Sequence, residues 1–164
     1  MVEIYRKSLF DIPEDIVYLD GNSLGPLLKG VGEESHRVIS KEWGKKLIKG
    51  WNESRWMDQP VRVGNKIAEL LNAEKDSIVL GETLAVKLYQ ALSAAIDLRK
   101  DRNIILTDSG NFPSDLYVAQ GLIDNQSRDL KLKVVDAEDI KSSIDDTVAV
   151  VMLTQVDYRT GTVS

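Results

Sequence analysis

The feature that most constrains this chain is the alternation, through its second half, of short apolar runs with longer periodic segments. Asn103-Ile104-Ile105-Leu106-Thr107 and Thr147-Val148-Ala149-Val150-Val151-Met152-Leu153 contain almost no polar interruption. Such runs read as strands buried on both faces, and strands separated by helical segments of this length pair in parallel through βαβ crossovers. Strands are expected at 77–80, 103–107, 130–135 and 147–153. Helices are expected at 84–98 and 114–124, with a small one at 137–143. The fold class is α/β, a mostly parallel open sheet with helices on both faces.

The first third obeys a different rhythm. Val17-Tyr18-Leu19 is a short β-prone run closed by Asp20-Gly21-Asn22-Ser23-Leu24-Gly25-Pro26, a tight and specified loop. From Leu28 to Trp51 the apolar positions recur at three- and four-residue spacings, which predicts one long helix with Trp43 in the core and His36 as a partly buried member of the stripe. Trp51 lies just past that helix and is the better candidate for lining a pocket. A second helix is expected over Val63–Leu71, stopped at Asn72. The organisation expected is an amino-terminal segment with its long helix over 1–55 and an α/β domain over 56–164.

Composition closes off several kinds of chemistry. There is no cysteine, and His36 is the only histidine, so thiolate metal sites, disulfides, cysteine nucleophiles and multi-histidine clusters are excluded. With 21 basic against 26 acidic side chains the net charge is −5, which offers no basic field to a nucleic acid. No apolar run approaches the ~20 residues that span a bilayer, and the start lacks the apolar stretch of a signal peptide. No membrane partner and a cytoplasmic location are expected.

In open α/β sheets ligands bind beyond the carboxyl ends of the strands, so the segments after each strand carry the candidate chemistry. Gly81-Glu82-Thr83-Leu84-Ala85 opens a helix: its free backbone N–H groups suit a phosphate, and Thr83 equally suits a plain helix cap. In Thr107-Asp108-Ser109-Gly110-Asn111-Phe112-Pro113-Ser114-Asp115, the last three residues begin a helix in good capping order. Phe112 there either stacks on a planar ligand, with Ser114 or Asp115 at its polar edge, or simply belongs to a loop. Arg159, between Tyr158 and Thr160, reads as a clamp for a carboxylate or phosphate or as a solvated turn.

Taken together, DGNSLGP, the long helix reaching EWG and GW, VGNKIAELL, SGNFPSDLY and AVVMLTQVDYRTG resemble, in order and spacing, the kynureninases. The resemblance covers 18–161. It implies a partial aminotransferase-like (fold type I) large domain preceded by a long amino-terminal helix, and pyridoxal 5'-phosphate as cofactor. Carried over residue by residue, it implies that Phe112 stacks on the cofactor ring, with Pro113, Ser114 and Asp115 beside it. Leu84 and Ala85 fall where relatives hold the phosphate, and Ala85 replaces a usual Thr or Ser, leaving only backbone N–H groups. Thr154 takes the place of a further hydroxyl residue at the cofactor, and Ser23 and Trp51 take substrate-lining positions.

The resemblance also implies that the Schiff-base lysine, the aspartate on the pyridine nitrogen and the arginine for the substrate carboxylate lie beyond Ser164. No residue of this chain is therefore assigned a catalytic role. The expected function is the amino-terminal portion of a hydrolase cleaving L-kynurenine to anthranilate and L-alanine, inactive alone, working as a homodimer or with the missing carboxy-terminal half. The alternatives are another aminotransferase-fold enzyme, such as a cysteine-desulfurase-like one, or a non-catalytic remnant that binds a partner.

Overall fold

The computed structural model describes residues 6–163, which form two compact units divided between Leu80 and Gly81. The α/β character expected from the sequence resides in the second.

In the first unit, β1 (Phe10–Asp11) and β2 (Leu27–Leu28) form a two-residue antiparallel pair. The run 17–19 between them joins no sheet, and Val17 and Leu19 are exposed. A β-prone run becomes a strand only where a ladder receives its backbone, and among the described residues none does so here.

The long helix expected from 28 to 51 is a succession of shorter pieces. These are α1 (Val31–Arg37), a π-helical turn over Val38–Trp43, α2 (Gly44–Lys46), a 3-10 turn over Leu47–Lys49, and α3 (Gly50–Glu53). The π turn adds a residue to the spiral and rotates the stripe, and Leu47 then leaves the helix at φ +51°. The apolar side of these turns therefore makes no core: Trp43 is 64% exposed, Ile39 and Ile48 are exposed, and His36 is exposed. Both Trp43 and His36 thus differ from expectation, because periodicity supplies a face while burial needs a second element against it.

One tight knot does form. The Trp56 indole N–H donates to Glu42 at 2.7 Å, Arg37 pairs with Glu42 at 2.6 Å, and the Trp56 ring packs where a Cβ on Gly50 would sit. The indole N–H, and then the guanidinium, hold the Glu42 carboxyl below its usual range. Farther along, α4 (Gln59–Leu71) begins with Pro60 in its first turn and ends at Asn72 in the left-handed region, the stop expected. The Ile78 backbone lies directly on Gly64 of this helix. Residues 77–80, expected as a strand, have no ladder partner among the described residues and pack against α4 through that contact.

The second unit carries the sheet. The elements are α5 (Leu84–Leu98), β3 (Ile104–Asp108), α6 (Pro113–Asp124), β4 (Lys131–Val135), 3-10 turns at Ala137–Asp139 and Lys141–Ser143, and β5 (Val148–Met152). All three strands are parallel in the order β4-β3-β5. Alternate residues of β3 serve opposite faces. Ile105 packs with Leu92, Ile96, Ala119, Leu122 and Met152, so α5 and α6 share one face; Leu106 packs with Ile140 and Val148 beneath the 3-10 turns on the other. An irregularity in register, where Ile104 faces Val148 and Ile105 faces Val150, inserts Ala149 and turns Val148 to the face opposite Val150. At the far end of α5, Arg128 donates to the carbonyls of Ile96, Arg99 and Arg102 and closes the helix.

Candidate functional site

The crossovers leave β3 and β4 by opposite faces, α6 on one and the 3-10 turns on the other, which opens a crevice beyond the carboxyl ends of the strands. A cleft of about 370 Å³ occupies that place, within the range of small-molecule sites. It is lined by the loop after β3 (108–112), the start of the loop after β4 (136–138) and the segment after β5 (154, 157–160 and 162).

The loop after β3 is built around one buried side chain. Asn111 is only 5% exposed. Its Oδ1 accepts from the Phe112 backbone N–H at 2.7 Å and from the Thr154 hydroxyl at 2.6 Å, while its Nδ2 donates to the buried Thr107 hydroxyl at 3.1 Å. Gly110 N–H donates to Asp108 and Ser109 Oγ donates to Asp136, so the turn is braced against β3 and the loop after β4.

This bracing presents Phe112 at 45% exposure, with Tyr158 touching it edge-on at a centroid distance of 4.8 Å and leaving ring surface open. Pro113 follows as the first residue of α6. Ser114 donates to Asp115 at 3.2 Å, and Asp115 is almost fully buried in the helix's first turn. A carboxylate there is favoured by the free N–H groups of the helix start.

The segment after β5 closes on Asp157. Its Oδ1 accepts from the backbone N–H groups of Arg159 and Thr160, and its Oδ2 pairs with the Arg159 guanidinium at 2.9 Å. The guanidinium first, then the backbone donors, hold this carboxyl far below its ordinary range. Arg159 also lies over the Tyr158 ring and reaches the Gly110 carbonyl. The Arg159 guanidinium is thus engaged through Nη2 by Asp157 of its own turn and by the Gly110 carbonyl of the loop after β3.

The charge balance of the cleft is acidic. Asp108, Asp136, Glu138 and Asp157 line it against Arg159, and no lysine does among the described residues. No group of three or more metal-ligating side chains occurs among the described residues, and no helix there is long and apolar enough to cross a membrane. Chemically, the cleft offers aromatic faces, several hydroxyls and a ring of acceptors.

Comparison with known proteins aligns most of this chain with kynureninases. The chain is 41% identical over 160 residues to the kynureninase of Pseudomonas fluorescens, covering 94% of this chain and 38% of that protein. The chain is similar to kynureninases. It is 38% identical over 160 residues to the kynureninase of Burkholderia mallei, again over 94% of this chain and 38% of that protein. It is 41% identical over 162 residues to that of Deinococcus radiodurans, over 96% of this chain and 39% of that protein. This chain thus spans less than two-fifths of the length of the kynureninases it matches and corresponds to their amino-terminal portion. No family model matches.

Against this kynureninase-like frame the residues singled out from sequence distribute as follows. Phe112 and Thr154 line the cleft, with Pro113, Ser114 and Asp115 continuing from Phe112 into α6. Leu84 and Ala85 stand in the first turn of α5 and are not among the residues lining the cleft. Thr83 caps that helix, accepting from Val86 N–H at 3.3 Å. Ser23 and Trp51 belong to the first unit: Ser23 donates to Asp20 at 2.7 Å, and Trp51 meets Trp56 edge-on at 5.9 Å. Sequence reasoning passed over Asn111 and Thr107. Only an Asn in a loop directly after an apolar strand could have flagged them, since burial of a polar side chain leaves no periodic trace.

Proposed function

We propose that this chain is the amino-terminal portion of an enzyme that hydrolyses L-kynurenine to anthranilate and L-alanine with pyridoxal phosphate. The observation that carries the reading is the 38–41% identity to kynureninases over 94–96% of this chain.

The residues present fit such a cofactor. Phe112 offers an open ring face, and Thr154 stands beside it through their shared partner Asn111. A short connection, 99–103, leads from α5 into β3, so the amino end of α5 points toward the carboxyl ends of the strands, as that of α6 does. Bound there, pyridoxal phosphate supplies a ring that stores carbanion electrons. Phe112 orients that ring by stacking, and Thr154 and Asp115 contact its polar groups. The Leu84 and Ala85 N–H groups, which helix geometry leaves without intrahelical acceptors, receive the phosphate. Ser23 and Trp51 are carried as substrate contacts.

No lysine lines the cleft among the described residues, and these 164 residues alone are proposed neither to hold the cofactor covalently nor to turn over substrate. Activity is proposed to require the remainder of the protein, in a homodimer or an assembly of halves, at a cytoplasmic location. The experiment is Phe112→Leu in the complete enzyme, with pyridoxal phosphate affinity and cofactor-free melting temperature measured on the same preparations. Loss of the π-face lowers affinity roughly 3- to 10-fold. Unchanged affinity with a lowered melting temperature would reject the stacking role.

A further inference from the structure

The hydrogen bonds of the buried Asn111 amide have a direction that chemistry alone decides. A backbone N–H can only donate, and that of Phe112 lies 2.7 Å from Oδ1, so this atom is the amide oxygen. Thr154 Oγ1 lies 2.6 Å from the same acceptor, so the Thr154 hydroxyl must spend its single proton there. The amide nitrogen points the other way, to Thr107. Thr154, partly exposed in the cleft wall, is left with lone pairs only.

We infer that Asn111 is a positioning residue that captures the Thr154 proton, so that this edge of the cleft takes a hydrogen-bond donor from the ligand, a ring hydroxyl or a protonated ring nitrogen, and rejects a phosphate or carboxylate oxygen. The surroundings act in the same direction. Asp108, Asp136, Glu138 and Asp157 repel an anion, and Arg159 is engaged by Asp157 at 2.9 Å. One amide thereby selects which end of a ring-plus-phosphate ligand meets the strand ends. The ligand's identity rests on the pyridoxal reading; the proton direction rests on the Asn111 geometry alone.

The test has two arms, both on the 164-residue chain. In the ligand-free arm, hydrogen exchange of the Phe112 amide is followed in wild type, Asn111→Asp and Asn111→Leu. Asp keeps an acceptor for both donors and Leu removes it, so exchange accelerates at least about tenfold in Asn111→Leu and stays near wild type in Asn111→Asp. Equal exchange in all three proteins would overturn the positioning role.

The ligand arm compares pyridoxine with its 3-O-methyl ether and with the analogue whose ring nitrogen is replaced by CH, alongside inorganic phosphate. One donor-silenced analogue binds wild type about tenfold more weakly than pyridoxine. Thr154→Val erases that difference, Thr154→Ser preserves it, Asn111→Leu shrinks it, and phosphate affinity is the same in all four proteins. A difference that survives Thr154→Val, the lack of any difference in wild type, or a phosphate affinity that falls with Thr154→Val would overturn the donor requirement. If wild type binds none of the three ring probes while Phe112 exchange behaves as expected, the donor requirement is overturned, whereas the pyridoxal reading is decided by the Phe112→Leu experiment on the complete enzyme and the capture of the Thr154 proton stands.

Discussion

The two units are built from similar proportions of apolar residues and use them differently. In the second, Ile96, Ile105, Leu106 and Leu122 are fully enclosed between helices and sheet. In the first, the buried positions among the described residues are Gly50, Gly64 and Ala68, while Leu24, Trp43, Leu47, Ile48 and Leu70 are exposed. The difference is one of contact range. The second unit brings residues such as Leu92 and Met152, sixty positions apart, into one cluster, whereas the helical turns of the first touch mainly their chain neighbours. An apolar stripe stabilises only when a distant element covers it.

The largest effect that could break this contrast is a pair of truncations. Ile105→Ala, deep in the second unit, should cost about 2–5 kcal/mol, and Trp43→Ala less than about 0.5 kcal/mol, both read by urea denaturation of the whole chain. A Trp43→Ala loss matching that of Ile105→Ala would show that the stripe is covered in solution and end the distinction.

The next test sits at the tightest point of the first unit. On an exposed helix Gly→Ala gains roughly 1 kcal/mol. With the Ile78 backbone seated on Gly64, the substitution should instead cost about 1–3 kcal/mol through overpacking, and amide exchange in 77–80 should quicken. A stabilised Gly64→Ala protein would mean that 77–80 does not rest on α4.

A smaller effect sharpens the comparison from the other side. Thr83→Ala removes the cap of α5 and should cost about 1 kcal/mol, with faster exchange confined to the first turn of that helix. Exchange that quickens along all of α5 would show that the helix depends on its cap more than on its packing against β5 and α6.

The smallest effect is local to the turn at Asp157. Its carboxyl is held below the ordinary value of 3.8 by Arg159 and the backbone donors, so it binds fewer protons folded than unfolded near that pH. Its contribution is therefore complete above the unfolded value and is lost as pH falls through the depressed folded one. The amide resonances of Arg159 and Thr160 should shift only at strongly acidic pH. In Asp157→Asn the two amides should be displaced already at neutral pH and lose that acid transition. A wild-type transition at or above the ordinary value would remove the ion pair from the account.

Much of the second unit was legible in the chain itself. The bounds of α5 coincide with the periodic segment 84–98, and α6, β3, β4 and β5 fall within a residue or so of the expected spans. Helical period, capping residues and unbroken apolar runs are local properties, and in this unit the distant contacts reinforce them. The runs 17–19 and 77–80 carry the same local strand signal without receiving a ladder, and the stripe of 31–51 carries a helical signal without a cover. For the cleft, the loops after the strands were legible because parallel sheets place them at one end. The junction at Asn111 was not, because a buried asparagine and a solvated one are written with the same letter.

What the amino-acid sequence determined by itself is therefore the order and type of the elements of the α/β unit, the absence of thiolate and multi-histidine chemistry, and the loops able to carry a ligand. These follow from periodicity, composition and chain direction, which need no knowledge of distant neighbours. Only the tertiary structure decided that Trp43 stays exposed, that Arg159 is engaged by Asp157, and that Asn111 joins Thr107, Phe112 and Thr154. Each of these depends on groups that meet or fail to meet through folding, and burial and hydrogen-bond direction exist only once those groups share a place.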